Sequence, residues 1–341
     1  VFLTTYNTGD LIKGTAVSYS GNTGTKGSEV TIMNTGGSSG GSYHYQHWYD
    51  SYNKVTVCWA RGGVSGNNTN RSSAVVLTLT GTSIAVGTLY ENASAGGQYQ
   101  KGCDITGGKH VLYWRSNSTY YPATMTMTVT SSGAISWGTA LTINSATGGY
   151  ANAIYNPNYP NKIIMAGNIV GNTFSYGGYN ISGTAISNST FYSGGIYNAN
   201  SHVESGGNVG VYSNYSGNYC FVYATSDPSF YSRYNFATTT DGLTLTVATG
   251  VQTNSHGTYQ FYAGACASDV DGTVAESHSN QDSSASPKSY VYYCFNPTFS
   301  FTVTTSTPNL TLTNYLGIAS DTVANNENAT IQTQGAVNPD Q

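Results

Sequence analysis

Residues 49–57 of the chain read YDSYNKVTV, and residues 155–165 read YNPNYPNKIIM. Each stretch begins at a tyrosine, passes through a polar turn that contains Asn-Lys, and enters an apolar segment. A third and more diverged copy, residues 103–112, reads CDITGGKHVL and lies between the first two. One turn that recurs at intervals of roughly 50 to 58 residues indicates an internal repeat, which restricts the folds to be considered.

Each copy continues in the same way after its turn. A loop of Asn, Ser and Gly leads to a strand of alternating apolar and polar residues, which a tight turn connects to a further strand. The alternation is clearest in residues 125–130, MTMTVT, and it predicts β-structure because successive side chains of a strand point to opposite faces. The alternating strands are predicted at residues 74–80, 123–130 and 175–182.

Four short antiparallel strands per repeat are typical of a β-propeller blade, so the sequence predicts an all-β fold, a propeller of about six blades. A β-sandwich and a β-solenoid are the alternatives. A solenoid usually repeats at shorter intervals, and a sandwich gives no reason for Asn-Lys turns at this spacing. The predicted units are a half blade at 1–46 and fuller blades at 47–98, 99–151, 152–201, 202–257 and 258–309. Residues 310–341 are expected to close the propeller or to begin the next module.

The composition favours an extracellular or virion-surface protein. Charged residues make up 8% of the 341 residues, where roughly 25% is usual, whereas Gly (41) and Tyr (30) are in excess. The net charge is −4 and no basic run occurs, so nucleic acid is not an expected partner. No stretch approaches the roughly 18 to 20 apolar residues of a membrane span, so membrane insertion is not expected.

The five cysteines are predicted to be mostly reduced and buried. An odd number leaves at least one without a partner in the chain, and none has the Cys-x-x-Cys spacing of zinc or redox sites. All five lie in apolar or aromatic runs, and Cys103 and Cys266 are predicted at corresponding places on first strands of different blades.

The repeats resemble those of tail fibre and virion surface proteins from marine and cyanobacterial tailed phages. The motif is Tyr-Asp/Asn-x-x-x-Asn-Lys-Val/Ile, then Ala-x-Val, then Gly-Thr-Ser-Ile-x-x-Gly-Thr, and it is carried by residues 47–200. Residues 310–338 resemble the module that follows such repeats, and residues 201–305 match weakly. The resemblance implies a surface appendage that meets a host cell, with other virion or filament subunits as partners and an oligomeric assembly.

Catalysis has no positive support in the sequence, so no catalytic, cofactor-binding or metal-binding residue is predicted, and the chain is not expected to be an enzyme. Residues 239–245, TTDGLTL, resemble the Asp-box of sialidases, but that motif shapes a turn. A catalytic sialidase needs three arginines, and the four arginines of this chain lack the spacing to a Tyr/Glu partner that would support such a triad. The carboxylates are scattered over turns instead of forming the pair that a glycosidase needs. Residues 269–272, DVDG, lack the later ligands of a calcium loop.

Binding is the function that remains, and loop aromatics are the expected contacts because charges are few. Tyrosine offers a rigid amphipathic surface for glycans and proteins. The candidates lie in loops between second and third strands: Tyr120, Tyr121, Phe230 and Tyr231. We therefore expect a non-enzymatic virion or extracellular appendage that binds cell-surface glycan or protein. The alternatives are a structural subunit of a filament or coat without a ligand, and a sialidase-like glycosidase.

Overall fold

Every regular element in the described part of the chain is a β-strand. The computed structural model describes residues 1–8, 10–35, 45–61, 71–149, 151–170, 173–192, 203–213, 217–225, 231–248, 251–255, 260–267, 273–280, 289–295, 318–319 and 331–332. None of these segments forms a helix of the length and apolarity that crossing a bilayer would require. The predicted all-β class is confirmed.

The first three sheets follow one another along the chain, and we call them blades 1 to 3. Blade 1 contains β1 (Phe2–Thr8), β2 (Leu11–Ser20), β3 (Thr23–Lys26) and β4 (Val30–Asn34). Its central strand β2 pairs with β1 on one side and with both β3 and β4 on the other. Blade 2 is β5 (Tyr45–Asp50), β6 (Val55–Arg61), β7 (Ser72–Thr80) and β8 (Ser83–Asn92), paired in sequence order. Blade 3 is β9 (Gly97–Asp104), β10 (Lys109–Ser116) and β11 (Pro122–Val129), with β12 (Ile135–Trp137) and β13 (Leu141–Thr142) both on β11.

Blades 4 to 6 repeat this antiparallel order. Blade 4 is β14 (Ala151–Tyr155), β15 (Lys162–Val170), β16 (Thr173–Ser182) and β17 (Ala185–Tyr192). Blade 5 is β18 (Val203–Ser213), β19 (Asn218–Thr225) and β20 (Tyr231–Thr238), with β21 (Thr246–Val247) and β22 (Val251–Ser255) both on β20. Blade 6 contains β23 (Gln260–Ala267), β24 (Val274–Asn280) and β25 (Ser289–Phe295).

The chain divides into two compact units, residues 1–297 and residues 298–341. The first unit holds all six blades. In the second unit, β26 (Ile318–Ala319) pairs with β27 (Ile331–Gln332) in antiparallel fashion. The prediction that residues 310–341 close the propeller on blade 1 falls mostly on residues outside the described part.

The core lies between blades, and blades 2, 3 and 4 each bury both of their faces. On β6, Val57 and Trp59 pack toward blade 3, whereas the alternate residues Cys58 and Ala60 pack toward blade 1. Similar apolar clusters join blade 3 to blade 4 and blade 4 to blade 5. Burial on both faces explains why the second strands read as nearly continuous apolar runs, while only the outer strands alternate with solvent.

The recurrent turns are closed by local hydrogen bonds and by residues with a positive φ. Lys54, at the end of the Asn-Lys turn, has a φ of 57°, and Asp50 receives the backbone N–H groups of Tyr52 and Asn53. The turns between third and fourth strands place Gly81 and Gly183 at φ values of 58° and 61°, in the left-handed region that glycine enters without a steric penalty.

The described cysteine side chains are free thiols: Cys58 and Cys220 are buried and Cys103 is partly buried. Burial raises the pKa of Cys58 and of Cys103 to about 12. Cys103 and Cys266 are each the second-last residue of the first strand of a blade, as predicted.

Thiol titration of the native protein should leave these three cysteines unlabelled, because reaction requires an accessible thiolate. With an aromatic disulfide reagent at pH 8, at most two of the five thiols should react before unfolding, and all five should react in denaturant. The two thiols that could react are those of Cys266 and Cys294, whose side chains are not among those that the structure describes. Rapid labelling of three or more native thiols would contradict the expected burial.

Candidate functional site

A cavity of about 470 Å³ lies where the link between blades 2 and 3 meets the loop between β10 and β11. We call it the loop cavity. Its lining combines aromatic rings with hydroxyl and amide groups: Ala93, Ser94, Gly96, Trp114, Ser116, Asn117, Ser118, Thr119, Tyr121, Ala123, Ala140 and Thr142. The loop between a second and a third strand therefore lies beside an inter-blade link at this place.

The loop that supplies Tyr121 is held by its own backbone. Ser116 donates its N–H to the carbonyl of Tyr121 at 2.9 Å, and Tyr120 donates its N–H to the carbonyl of Ser116 at 3.0 Å. The loop is also tied to the next link, because Gly148 donates its N–H to the carbonyl of Tyr120 at 3.0 Å. These bonds position Tyr121 before any ligand arrives, which reduces the entropy cost of binding.

The four predicted contact residues differ in where the structure places them. Tyr121 lines the loop cavity. Tyr120 is 48% exposed but lies with its ring 5.1 Å from the guanidinium carbon of Arg115. Tyr231 is the first residue of β20, and its side chain is not described. Phe230 lies outside the described residues.

Arg115 has an environment that the sequence did not reveal. Its guanidinium lies 4.3 Å from the ring centre of Tyr99 as well as near Tyr120, and it donates hydrogen bonds to Gln98 and to the carbonyl of Gly148. Tyr99 and Tyr120 have φ values of 59° and 61°, which bulky residues seldom adopt. Strained backbone of this kind concentrates at functional sites. No pattern in the sequence singled out Tyr99, because its role depends on its contact with Arg115, which lies in the neighbouring strand.

Asp50, Asp104 and His110 form a buried cluster in which one ligand-type atom from each lies within 4.8 Å of the others. Trp48 donates its Nε1–H to His110 Nδ1 at 3.0 Å, so Nε2 carries the proton that faces Asp50 Oδ2 at 3.2 Å. Asp104 accepts hydrogen bonds from the backbone N–H and the hydroxyl of Ser51. In the sequence both aspartates have the appearance of separate turn residues, because neither forms a recognisable metal-binding motif with His110.

The cluster works as a tie between blades 2 and 3. Asp50 ends the first strand of blade 2, whereas Asp104 and His110 flank the corresponding turn of blade 3. Burial alone would raise the pKa of Asp50, but hydrogen bonds from His110 and Asn53 outweigh it and lower the pKa to about 2. For Asp104, burial raises the pKa despite the bonds from Ser51.

The Asp-box-like segment forms the turn that its residues predict. Asp241 accepts hydrogen bonds from the backbone N–H groups of Leu243 and Thr244 at 2.8 and 2.7 Å, and Gly242 has a φ of 73°. The bonds from the Thr244 and Leu243 backbone lower the pKa of Asp241 to about 2, against a smaller opposing effect of burial. The segment lies between β20 and β21, as expected for an Asp-box.

A second cavity, of about 650 Å³, lies beside the turn between β5 and β6 of blade 2, and its lining includes Tyr49, Lys54 and His47. Burial lowers the pKa of His47. The cavity adjoins Val1 and also Leu3 of β1, and of the two predicted contact residues whose side chains the structure describes, neither Tyr120 nor Tyr121 lines it.

Comparison with known proteins identifies neither a family model nor a curated protein that matches the sequence. Solved structures do match. A mutant of AofleA from Arthrobotrys oligospora with three arginines replaced by alanine aligns at a TM-score of 0.51 and 12% identity, over 84% of this chain and 76% of that one. The exo-beta-1,3-galactanase of Phanerochaete chrysosporium aligns at 0.38 and 8% identity, over 81% and 75%. The beta-propeller domain of the trilobed protease from Pyrococcus furiosus aligns at 0.36 and 8% identity, over 74% and 69%.

These matches correct one expectation. The prediction that the chain is not an enzyme is wrong as a conclusion from the sequence, because the fold that the chain shares with solved structures hosts different activities and does not exclude catalysis. The predicted architecture, in contrast, agrees both with the successive antiparallel sheets and with the fold of the AofleA structure. The chain is a β-propeller.

Proposed function

We propose that the chain binds a cell-surface glycan through the loop cavity, as part of a virion or other extracellular appendage. The observation that carries the proposal is the lining itself. Tyr121 offers aromatic surface for the C–H face of a sugar, and Ser116, Asn117 and Thr119 offer hydroxyl and amide groups for its hydroxyls. The resemblance of the repeats to phage tail fibre proteins supports the appendage context.

The volume and the position of the cavity fit this use. Ligand pockets measure roughly 300 to 1,000 Å³, and sites between repeated units are preferred places for them. Trp114 also lines the cavity, but at 2% exposure it belongs to the core between blades 2 and 3 and leaves little of its ring to a ligand. Tyr121 belongs to the loop and can contact a ligand without a change in the blades.

Replacing Tyr121 with alanine should weaken glycan binding by about 5- to 30-fold, which corresponds to the roughly 1 to 2 kcal/mol of an aromatic anchor. The measurement is a glycan array with the purified chain, followed by calorimetric titration of the best glycan. Release of reducing sugar is followed in the same samples, which distinguishes binding from hydrolysis. Thermal unfolding should change little, because a loop side chain contributes little to the core.

Tyr49→Ala is the matched control, since Tyr49 is 57% exposed and lines the second cavity instead. Equal losses from both variants, or a loss from Tyr49→Ala alone, would reject the loop cavity as the site. Self-assembly of a chain that binds no glycan would instead favour the structural-subunit function.

A further inference from the structure

Two arginines occupy corresponding positions at the ends of second strands in neighbouring blades. Arg61 is the last residue of β6, two residues after Trp59, which packs toward blade 3. Arg115 lies near the end of β10, two residues after Tyr113, which packs toward blade 4. Because alternate residues of a strand share a face, each guanidinium lies on the side facing the following blade, at the end that carries the ligand loops.

Arg61 is buried without a counter-ion among the described residues. It is 9% exposed, and its Nε makes no hydrogen bond there. Its Nη2 donates a hydrogen bond to the side-chain oxygen of Asn117 at 3.3 Å. Among the described residues, Lys13 pairs with Glu29 and Arg71 pairs with Glu91, whereas Asp50 and Asp104 face His110, so none of these carboxylates pairs with Arg61. Residues 62–70, which follow Arg61, contain no Asp or Glu in their sequence.

Arg115 is held in place by neutral groups only. Two tyrosine rings, one side-chain amide and one backbone carbonyl surround its guanidinium, so its charge is oriented but not cancelled. Burial and then the nearby charge of Arg115 lower the pKa of Arg61, consistent with two like charges close together. A buried charge without a partner is unfavourable, and a bound anion would relieve that cost.

We infer that the glycan carries an anionic group, a carboxylate or a sulfate, which Arg61 receives beside the loop cavity while Arg115 adds a second positive charge. Asn117 connects the two features, because it bonds to Arg61 and lines the cavity. A guanidinium donates two parallel hydrogen bonds to a carboxylate or sulfate. The inference rests on the proposed function and changes the expectation of recognition by aromatic contacts alone.

The test is an array in which each carboxylated or sulfated glycan is printed beside its carboxyl-reduced or unsulfated counterpart. The native protein should bind the acidic members at least tenfold more strongly, and this preference should shrink between 50 and 500 mM NaCl because salt screens the contact. The paired members also distinguish a carboxylate from a sulfate. Arg61→Gln should lose the preference for acidic members by at least tenfold and keep its binding to neutral ones.

Lys54→Asn is the matched charge control. The substitution also removes one positive charge, and Lys54 lies in the turn between β5 and β6, outside the lining of the loop cavity. Asparagine tolerates the φ of 57° found at this position. Arg61→Lys keeps the charge but loses the paired hydrogen bonds, so it should show an intermediate preference, and it serves if Arg61→Gln does not fold. Equal binding of acidic and neutral members by the native protein overturns the inference and leaves glycan binding intact. Binding to no glycan overturns the proposed function as well.

Discussion

Replacing Asp50 with alanine should lower the free energy of unfolding by about 3 kcal/mol, since the loss of one partner in a buried charged network leaves the others unpaired. The Asp50 side chain is fully buried and accepts the N–H groups of Tyr52 and Asn53 at 3.0 and 2.9 Å. It also accepts a bond from the Asn53 amide at 2.8 Å and faces His110 Nε2 at 3.2 Å. Without the carboxylate, the turn of blade 2 and its tie to blade 3 both lose their acceptor.

The pH dependence provides a second readout of the same group. The folded-state pKa of Asp50 is about 2, below the ordinary 3.8, so its contribution is present above about pH 4 and is lost as the pH falls toward 2. Urea unfolding followed by tryptophan fluorescence at pH 7 and pH 3 should therefore show a smaller difference between native protein and Asp50→Ala at pH 3. The neighbouring Asp104 and His110 remain in both proteins.

Asp241→Ala is the control for Asp50→Ala. Asp241 also shapes a turn through backbone hydrogen bonds and also has a pKa of about 2, but it is exposed. Its replacement should therefore affect global stability less, because water can satisfy the donors that it leaves. A loss for Asp50→Ala no larger than that for Asp241→Ala would contradict the role of the buried cluster as a tie between blades.

Replacing Trp59 with alanine should cost about 4 kcal/mol, within the range for deleting a large aromatic side chain from a core. Trp59 is fully buried between blades 2 and 3, and its ring meets that of Trp114 edge to face, with centroids 6.3 Å apart and planes at 84°. Val57, Ala74 and Leu112 belong to the same cluster. The cavity left by alanine would separate two blades that depend on each other for burial.

Trp59→Phe separates packing from hydrogen bonding. Trp59 Nε1 is buried and has no hydrogen-bond partner among the described residues, so phenylalanine removes an unsatisfied donor while retaining most of the apolar surface. Calorimetric unfolding should show a loss for Trp59→Phe of less than half that for Trp59→Ala. Equal losses would contradict the expectation that packing of an aromatic ring stabilises the interface.

The repeated turns could be predicted because their chemistry is local. Asp50 and Asp241 each accept backbone N–H groups from residues two or three positions later, and the glycine after an alternating strand supplies a positive φ, so the sequence alone specifies these features. The strands predicted at residues 74–80, 123–130 and 175–182 were found at Ser72–Thr80, Pro122–Val129 and Thr173–Ser182. The first strand, Phe2–Thr8, was not predicted because residues 1–46 were interpreted as the later strands of a blade.

The candidate site was predictable only in part. Tyr121 could be named because it lies in a loop between two predicted strands, but the opposite roles of the adjacent tyrosines could not be distinguished. Tyr120 turns to Arg115 while Tyr121 turns to the loop cavity. That difference depends on a positive φ and on a neighbouring strand that supplies Tyr99.

The sequence by itself determined the all-β class, the repeat and the geometry of its turns, because alternation and turn chemistry act over a few residues. Only the tertiary structure decided which distant side chains meet. Asp50 reaches His110, Trp59 reaches Trp114 and Arg61 reaches Asn117 because consecutive blades pack face to face. Such contacts join residues more than 50 positions apart, and their partners are set by how the sheets stack, which no local pattern records.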